Sequence, residues 1–170
     1  MKKTLLILLL SIPTFIVAQQ TTAKDAFLEK WENSKNYLLE IAEVMLDSLY
    51  NFKPTERQMS FNKQLLHIKA NMDWLSTSYF TSEEYKKPKD SISITKKEVI
   101  ELLKNKFDAV SEIIVKTPSE DLKTTVEFFA GSKSKLQILN LLQDHLTNHR
   151  GQLIVYLNLN NIKPPNYSGW

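Results

Sequence analysis

Three histidines are the side chains best suited to chemistry in this chain, and their spacing points to one shared site. His145 and His149 are four residues apart, so on a helix both imidazoles lie on one face and can share an ion. His67 is the third histidine, and helical steps of three and four residues place it on the inward face of its own segment. Three neutral imidazoles would leave a fourth position for water or substrate, which is typical of a catalytic or exchangeable zinc site.

Composition narrows the kinds of site that can be considered. The 170 residues include no cysteine, which excludes a disulfide, a Cys-ligated zinc and a thiolate nucleophile. Any metal site must therefore use His, Asp or Glu. The segment from His145 to His149 also lacks the Glu that follows the first His in the zinc-protease helix, so that reaction loses its general base. We find no Ser-His-Asp arrangement, Gly-rich phosphate loop or paired carboxylates.

The same histidines are also compatible with two less specific interpretations. A pair four residues apart arises by chance, and His67 alone is often a hydrogen-bonded core residue. A non-catalytic metal site is the second alternative, and it would be capped by a fourth ligand such as Asp73 or Asp144. Convergence distinguishes these cases, because nitrogens that bind one ion at about 2.0–2.1 Å must lie about 3–4 Å apart.

Four amphipathic segments are expected to position these side chains. Apolar residues recur at helical spacing in segments of about 23–50, 60–79, 95–117 and 134–159. Thr95 with Glu98, and Ser134 with Gln137, have the pattern of capping boxes that begin helices. Leu102 and Leu103 are assigned to the buried side of the third helix, and residues 119–131 to an irregular connection. The prediction is an all-α four-helix bundle in one domain.

Polar residues near the histidines could orient them. Gln64 and Asn71 share the face of His67, and Gln152 follows His149 by three residues, so each could bind a ligand imidazole or simply fill the bundle. Arg150 is adjacent to a candidate ligand and should point away from it, into a salt bridge or an interface. Aromatic residues at helical spacing could line a pocket mouth or form core: Trp74, Tyr156 and Tyr167.

The first 18 residues have the layout of a secretory signal peptide. Lys2 and Lys3 precede an apolar run that ends at Ala18, and that run is too short for a typical spanning helix. The alternative is an N-terminal anchor that is not cleaved. Residues 19–170 would be the mature protein, periplasmic or secreted, with no stable membrane span. Loss of the two lysines lowers the net charge from +3 to +1, which gives no reason to expect nucleic-acid binding.

The C-terminal histidine block carries a family resemblance. His149-Arg150-Gly151-Gln152 resembles the His-Arg-Gly-Gln signature of the DinB/YfiT-like family, and His145 stands where that family has its upstream ligand. Weaker similarity extends over nearly the whole mature chain, in these segments: Trp31 with Tyr37-Leu38-Leu39, Phe52-Lys53-Pro54, Met59-Ser60-Phe61 through His67, and the tail around Pro164-Pro165.

That resemblance implies a four-helix bundle with a crossover connection, a homodimer, and a zinc or nickel ion held by His67, His145 and His149. Some members of the family are transferases or isomerases that use a small thiol, but such thiols are chiefly cytoplasmic, which conflicts with export. We therefore expect an exported, metal-dependent hydrolase or transferase with a small-molecule substrate. The alternative is a helical module that binds a metal or small ligand without turnover.

Overall fold

Four long helices make up most of the structure, a computed structural model that describes residues 22–87 and 94–168. The helices are α1 (Ala23–Val44), α2 (Phe61–Phe80), α3 (Lys96–Lys116) and α4 (Lys135–Leu159). The predicted all-α bundle is confirmed. The predicted signal peptide, residues 1–18, lies outside the described residues. Within the described ranges, no helix combines the length and the apolar character needed to cross a membrane.

Local hydrogen bonds explain where the helices begin. Both predicted capping boxes are present, at Thr95 and at Ser134, so the helices α3 and α4 begin where the sequence indicates. Thr22 forms a third box at the start of α1. The Ser60 side chain accepts a hydrogen bond from the amide of Lys63 and begins α2. These oxygens bind amides that have no partner inside a helix.

The first helix is shorter than its apolar period predicts. It ends at Val44, where Met45 turns to extended backbone with ψ of 131°, and Asp47–Leu49 form a separate 3-10 turn. The expected continuation to Tyr50 is therefore wrong. Met45 and Tyr50 still pack into the core, although both lie beyond the end of the helix.

Side chains from elsewhere in the fold bind the carbonyls at this helix end. Lys96 Nζ donates to the carbonyls of Glu43 and Met45, at 2.7 and 2.9 Å. The Tyr50 hydroxyl donates to the Ala42 carbonyl at 2.7 Å. The last carbonyls of a helix need partners from outside it, and these contacts supply them from the start of α3 and from the following turn.

The packing order places α2 beside α4. Each of α1 and α2 packs against both α3 and α4, so α1 lies diagonally opposite α2, and α3 opposite α4. The connections from α1 to α2 and from α3 to α4 therefore cross the bundle, whereas α2 and α3 are neighbours. The Lys135 ammonium lies 5.8 Å from the centre of the Phe80 ring, which places the start of α4 at the end of α2. The two helices that carry histidines are thus antiparallel neighbours.

A cluster of buried aromatic side chains packs α1 against α3, the two helices that carry no histidine. Trp31 of α1 is fully buried, and its indole Nε1 donates to the Phe107 carbonyl of α3 at 3.2 Å. Its ring stacks on Phe27 at 5.3 Å between centroids. Leu103 is buried as expected, but Leu102 is 40% exposed, because one residue along a helix rotates a side chain by about 100°.

The connection before α4 is more ordered than the sequence indicates. Ser119–Lys123 form a 3-10 turn, and the strands β1 (Thr125–Val126) and β2 (Lys133–Ser134) pair antiparallel. Gly131 has a φ of +85°, a backbone conformation that favours glycine, and closes the hairpin between the strands. This hairpin places Phe128 and Phe129 against α2, where both rings contact Trp74.

Candidate metal centre

The three histidines meet between α2 and α4. One ring nitrogen from each of His67, His145 and His149 lies within 4.8 Å of the other two. His67 Nε2 and His145 Nε2 are 3.0 Å apart. Two nitrogens on one tetrahedral zinc are about 3.4 Å apart at ordinary bond lengths. The predicted nitrogen spacing of about 3–4 Å is therefore met by this pair. The three nitrogens taken together lie slightly farther apart, within 4.8 Å.

Burial decreases steadily across the cluster. His149 is buried, His145 is intermediate and His67 is exposed. The cluster therefore opens to solvent on the His67 side, although the sequence placed His67 on an inward face. An ion held here would be reachable by a small molecule from that side.

A glutamine from α2 orients the innermost imidazole. His149 Nδ1 lies 2.5 Å from Gln64 Oε1. An amide oxygen only accepts, so Nδ1 carries the proton and donates it to Gln64. In neutral histidine this leaves Nε2 unprotonated, which is the form that binds a metal. Gln64 thus fits the role of an orienting residue that its position on the face of His67 suggested.

Further hydrogen bonds hold the Gln64 amide in that orientation. Gln64 Nε2 donates to Gln152 Oε1 at 2.6 Å and to the Tyr156 hydroxyl at 3.4 Å. The Tyr156 hydroxyl donates in turn to the Met59 carbonyl at 2.9 Å. Gln152 therefore acts on Gln64, and the described residues show no hydrogen bond from Gln152 to a histidine. Tyr156 is buried in the core and lines no pocket mouth.

Electrostatics keep the three imidazoles neutral. Burial lowers the pKa of His149 below the ordinary value of 6.5, with repulsion from His67 adding to the effect, and the partial removal of the His67 ring from water lowers the pKa of His67 as well. Burial, with repulsion from the other two rings, lowers the pKa of His145 to about 4. Metal ligation requires imidazoles that are not positively charged, so these lowered pKa values favour cation binding at neutral pH.

No carboxylate joins this donor set within the part of the chain that the structure describes. The group of converging ligand atoms contains only the three imidazoles. Asp73 forms ion pairs with Lys69 and Lys106, each at 2.5 Å, and Asp144 is exposed and outside the group. Neither candidate for a fourth protein ligand occupies that position. The described residues therefore fit a three-histidine ion site without an Asp or Glu ligand.

Asn71 and Arg150, the other polar residues considered near the histidines, lie in different surroundings. Asn71 lies one turn after His67, and its Oδ1 is buried without a hydrogen-bond partner in the described structure. Arg150 points away from the histidines toward α1, where its Nη1 donates to Ser34 Oγ at 3.3 Å and its guanidinium lies 5.1 Å from the Tyr37 ring centre. The structure shows no salt bridge to Arg150 among the described residues, so that part of the expectation is not met.

Two of the three candidate aromatic residues lie at the surface. Trp74 is half-buried and contacts Tyr79, Phe128 and Phe129, with ring centres 5.9 to 6.5 Å away. Tyr167 is 80% exposed and meets Tyr37 edge-on. Sequence reasoning did not find Phe128 and Phe129, because a short hairpin with little apolar period leaves no helical signal.

The family model and the solved structures that resemble this chain indicate the same family. The model of the DinB family matches residues 18–168. The structure is similar to that of a DinB-like protein from Bacillus cereus, with a TM-score of 0.75 and 17% identity over 85% of this chain and 97% of that one. A DinB-like protein from Bacillus subtilis gives a TM-score of 0.68 and 18% identity over 84% and 96% of the two chains. No curated protein matches the sequence.

Proposed function

Because the chain belongs to the DinB family and brings its histidines together, we propose that His67, His145 and His149 hold one divalent ion, zinc or nickel. One observation carries the proposal: three ring nitrogens converge within 4.8 Å, and the innermost ring has its second nitrogen bound by Gln64. In metal sites the non-ligating nitrogen of a histidine is commonly bound in this way, which fixes the ring for coordination.

The proposed activity is that of an exported, metal-dependent hydrolase or transferase with a small-molecule substrate. A divalent ion would supply Lewis acidity and a low pKa for coordinated water. The chain's own contribution is positional. Gln64 holds the proton of His149 at Nδ1, burial favours the neutral form of His145 and His149, and the exposed side of His67 leaves room for a substrate. The free coordination position supports an enzyme over a closed structural site.

A non-catalytic module that binds metal or a small ligand is the second candidate. One observation favours it, because no Asp or Glu oxygen of the described residues joins the imidazoles in the group of converging ligand atoms. Turnover would then need a base farther from the ion or a group on the substrate. A screen of hydrolysable esters, amides and phosphoesters with the zinc- and nickel-loaded protein separates the two candidates.

Metal content tests the site itself. We expect about one zinc or nickel per chain by elemental analysis of the purified protein, since three imidazoles suffice to hold such an ion. His67→Ala, His145→Ala and His149→Ala should each lose most of the metal. Asn148→Ala is the matched control, because Asn148 is exposed on the same helix between two of the ligands and should keep full occupancy.

Circular dichroism of each variant shows whether the bundle still forms, so that loss of metal is separated from loss of fold. The proposal fails if the native protein stays metal-free after incubation with zinc and with nickel. It also fails if the histidine variants retain the same metal as Asn148→Ala.

A further inference from the structure

A compact group of aromatic side chains, here the aromatic patch, lies at one end of the helix pair that holds the histidines. It consists of Trp74 and Tyr79 from α2 and Phe128 and Phe129 from the β1–β2 hairpin. The centres of the Phe128 and Phe129 rings are 4.3 Å apart. Both rings stack on Trp74, at 5.9 and 6.2 Å. Phe129 is nevertheless 83% exposed, the most exposed large apolar side chain of the described residues.

The patch shares a helix face with the candidate metal centre. Trp74 follows His67 by seven residues on α2, which is nearly two turns, so both side chains project in almost the same direction about 10 Å apart along the axis. The hairpin that carries Phe128 and Phe129 leads directly into α4, the helix of His145 and His149. The aromatic patch and the histidines therefore lie along the same α2–α4 surface.

A polar group without a partner lies between them. Asn71 is one turn after His67 and one turn before Trp74, and its buried Oδ1 accepts no hydrogen bond within the described residues. A buried amide oxygen left in this state costs free energy. The surface thus presents a cation site and an apolar stacking surface, with the buried Asn71 oxygen between them.

We infer that the aromatic patch is a subsite for an apolar, ring-bearing group of a small-molecule substrate whose polar reactive end lies at the histidines. The inference rests on the proposed metal site, and it adds the substrate class. A substrate of this kind spans about 10 Å and stacks its ring on Phe129 and Trp74.

Area argues against a protein partner at this place. Phe129 is the one strongly exposed ring of the patch, while Trp74, Tyr79 and Phe128 are half-buried. A single aromatic side chain buries about 150–250 Å². A stable protein interface needs about 800 Å² on each side, so the patch is of a size for a small molecule.

Two hydroxamates that differ only in their tails test the subsite. Acetohydroxamic acid binds zinc through its head group alone, whereas ω-phenylhexanohydroxamic acid adds an alkyl chain that ends in a phenyl ring. By calorimetry on the zinc-loaded protein, we expect the phenyl compound to bind about tenfold or more tightly than acetohydroxamate, because its ring is removed from water. Phe129→Ala should remove most of this difference and leave acetohydroxamate binding unchanged.

Tyr167→Ala is the matched control, since Tyr167 is 80% exposed and also contacts one other aromatic ring. It should keep the full tenfold difference. The inference is overturned if the phenyl tail adds no affinity in the native protein, or if the added affinity persists in Phe129→Ala. It is also overturned if Phe129→Ala instead changes the oligomeric mass measured by light scattering, because the patch would then be an interface between copies.

An experiment on metal-free protein tests the aromatic subsite independently of the metal site. Phenylhexanol has the same tail without the chelating group, and its binding to EDTA-treated protein is followed by saturation-transfer NMR. Binding that is weakened in Phe129→Ala supports the subsite even if no metal is found. Equal signals in the two proteins, or no signal in either, count against the subsite whatever the metal content.

Discussion

At the scale of single residues, Gln64 has the most informative position in the structure. Its Oε1 accepts from His149, its Nε2 donates to Gln152 and to Tyr156, and its side chain is almost fully buried. Every polar atom of the amide is thus used, and all the bonds act to fix one tautomer of one imidazole. A side chain that merely filled the bundle would not need this arrangement.

Replacement of Gln64 should therefore weaken metal binding without removing it. Gln64→Ala leaves all three imidazoles in place but removes the acceptor for His149 Nδ1. We expect zinc affinity to fall about 10- to 100-fold in a competition titration with a chelator, as for other residues that orient metal ligands. Gln58→Ala, at an exposed site in the preceding turn, should bind zinc as the native protein does. Equal affinities of the two variants would contradict the orienting role.

At the scale of secondary structure, the helix ends show which contacts are local and which are not. The starts of α1, α3 and α4 are capping boxes made within four residues. The end of α1 is made by Lys96, which is more than fifty residues away in the sequence and binds two carbonyls. The starts of these helices could therefore be predicted from the sequence, whereas the end of α1 could not.

The Lys96 contact should contribute measurably to stability. Lys96→Met keeps the alkyl part of the side chain but removes the ammonium donor from the carbonyls of Glu43 and Met45. We expect the free energy of unfolding in urea to fall by about 1.5–3 kcal/mol, the range for a hydrogen bond to a charged group. Lys97→Met, an exposed neighbour, should change it much less. A similar loss in both variants would show that the carbonyl contacts are not the cause.

The capping box of α3 should be sensitive to pH. Hydrogen bonds from the Thr95 backbone and hydroxyl lower the pKa of Glu98 below its usual 4.5. A carboxyl whose folded-state pKa is depressed stabilises the fold above the unfolded pKa, and the stabilisation is lost as pH falls through the folded value.

We therefore expect Glu98→Gln to lower the free energy of unfolding at neutral pH, with a difference from the native protein that shrinks below about pH 4.5. Urea titrations at several pH values measure this. Glu101→Gln, an exposed glutamate one turn later on the same helix, should show less pH dependence. If the difference in free energy of unfolding between Glu98→Gln and the native protein stays constant down to pH 3, the capping box does not cause it.

At the scale of the whole molecule, the packing order creates the candidate site. The helices α2 and α4 are neighbours because the chain crosses the bundle between α1 and α2 and again between α3 and α4. Their antiparallel register places Gln64 beside His149 and His67 beside His145. The aromatic core around Trp31 supports α1 against α3 and leaves the α2–α4 surface free for the histidines and the aromatic patch.

Export is a prediction about the whole chain, and it concerns residues outside the described ranges. We expect the protein recovered from a periplasmic or secreted fraction to begin near Gln19, because the apolar run before Ala18 has the length of a signal peptide. Intact mass spectrometry measures the cleavage. Leu8→Arg together with Leu9→Arg should retain the uncut chain in the cytoplasm. Uncut native protein in the cytoplasmic fraction would contradict export.

The sequence by itself determined the four helices, most of their starts and the shared face of His145 and His149. Each of these depends on residues within a few positions of one another, through helical period and capping. Tertiary structure alone decided that His67 lies exposed 3.0 Å from His145, that Gln64 binds His149 across 85 residues, that α1 stops at Val44 and that Phe129 lies on Trp74. These contacts depend on which helices pack together and in which register. An amphipathic period specifies that a face is buried, but it does not specify what that face is buried against.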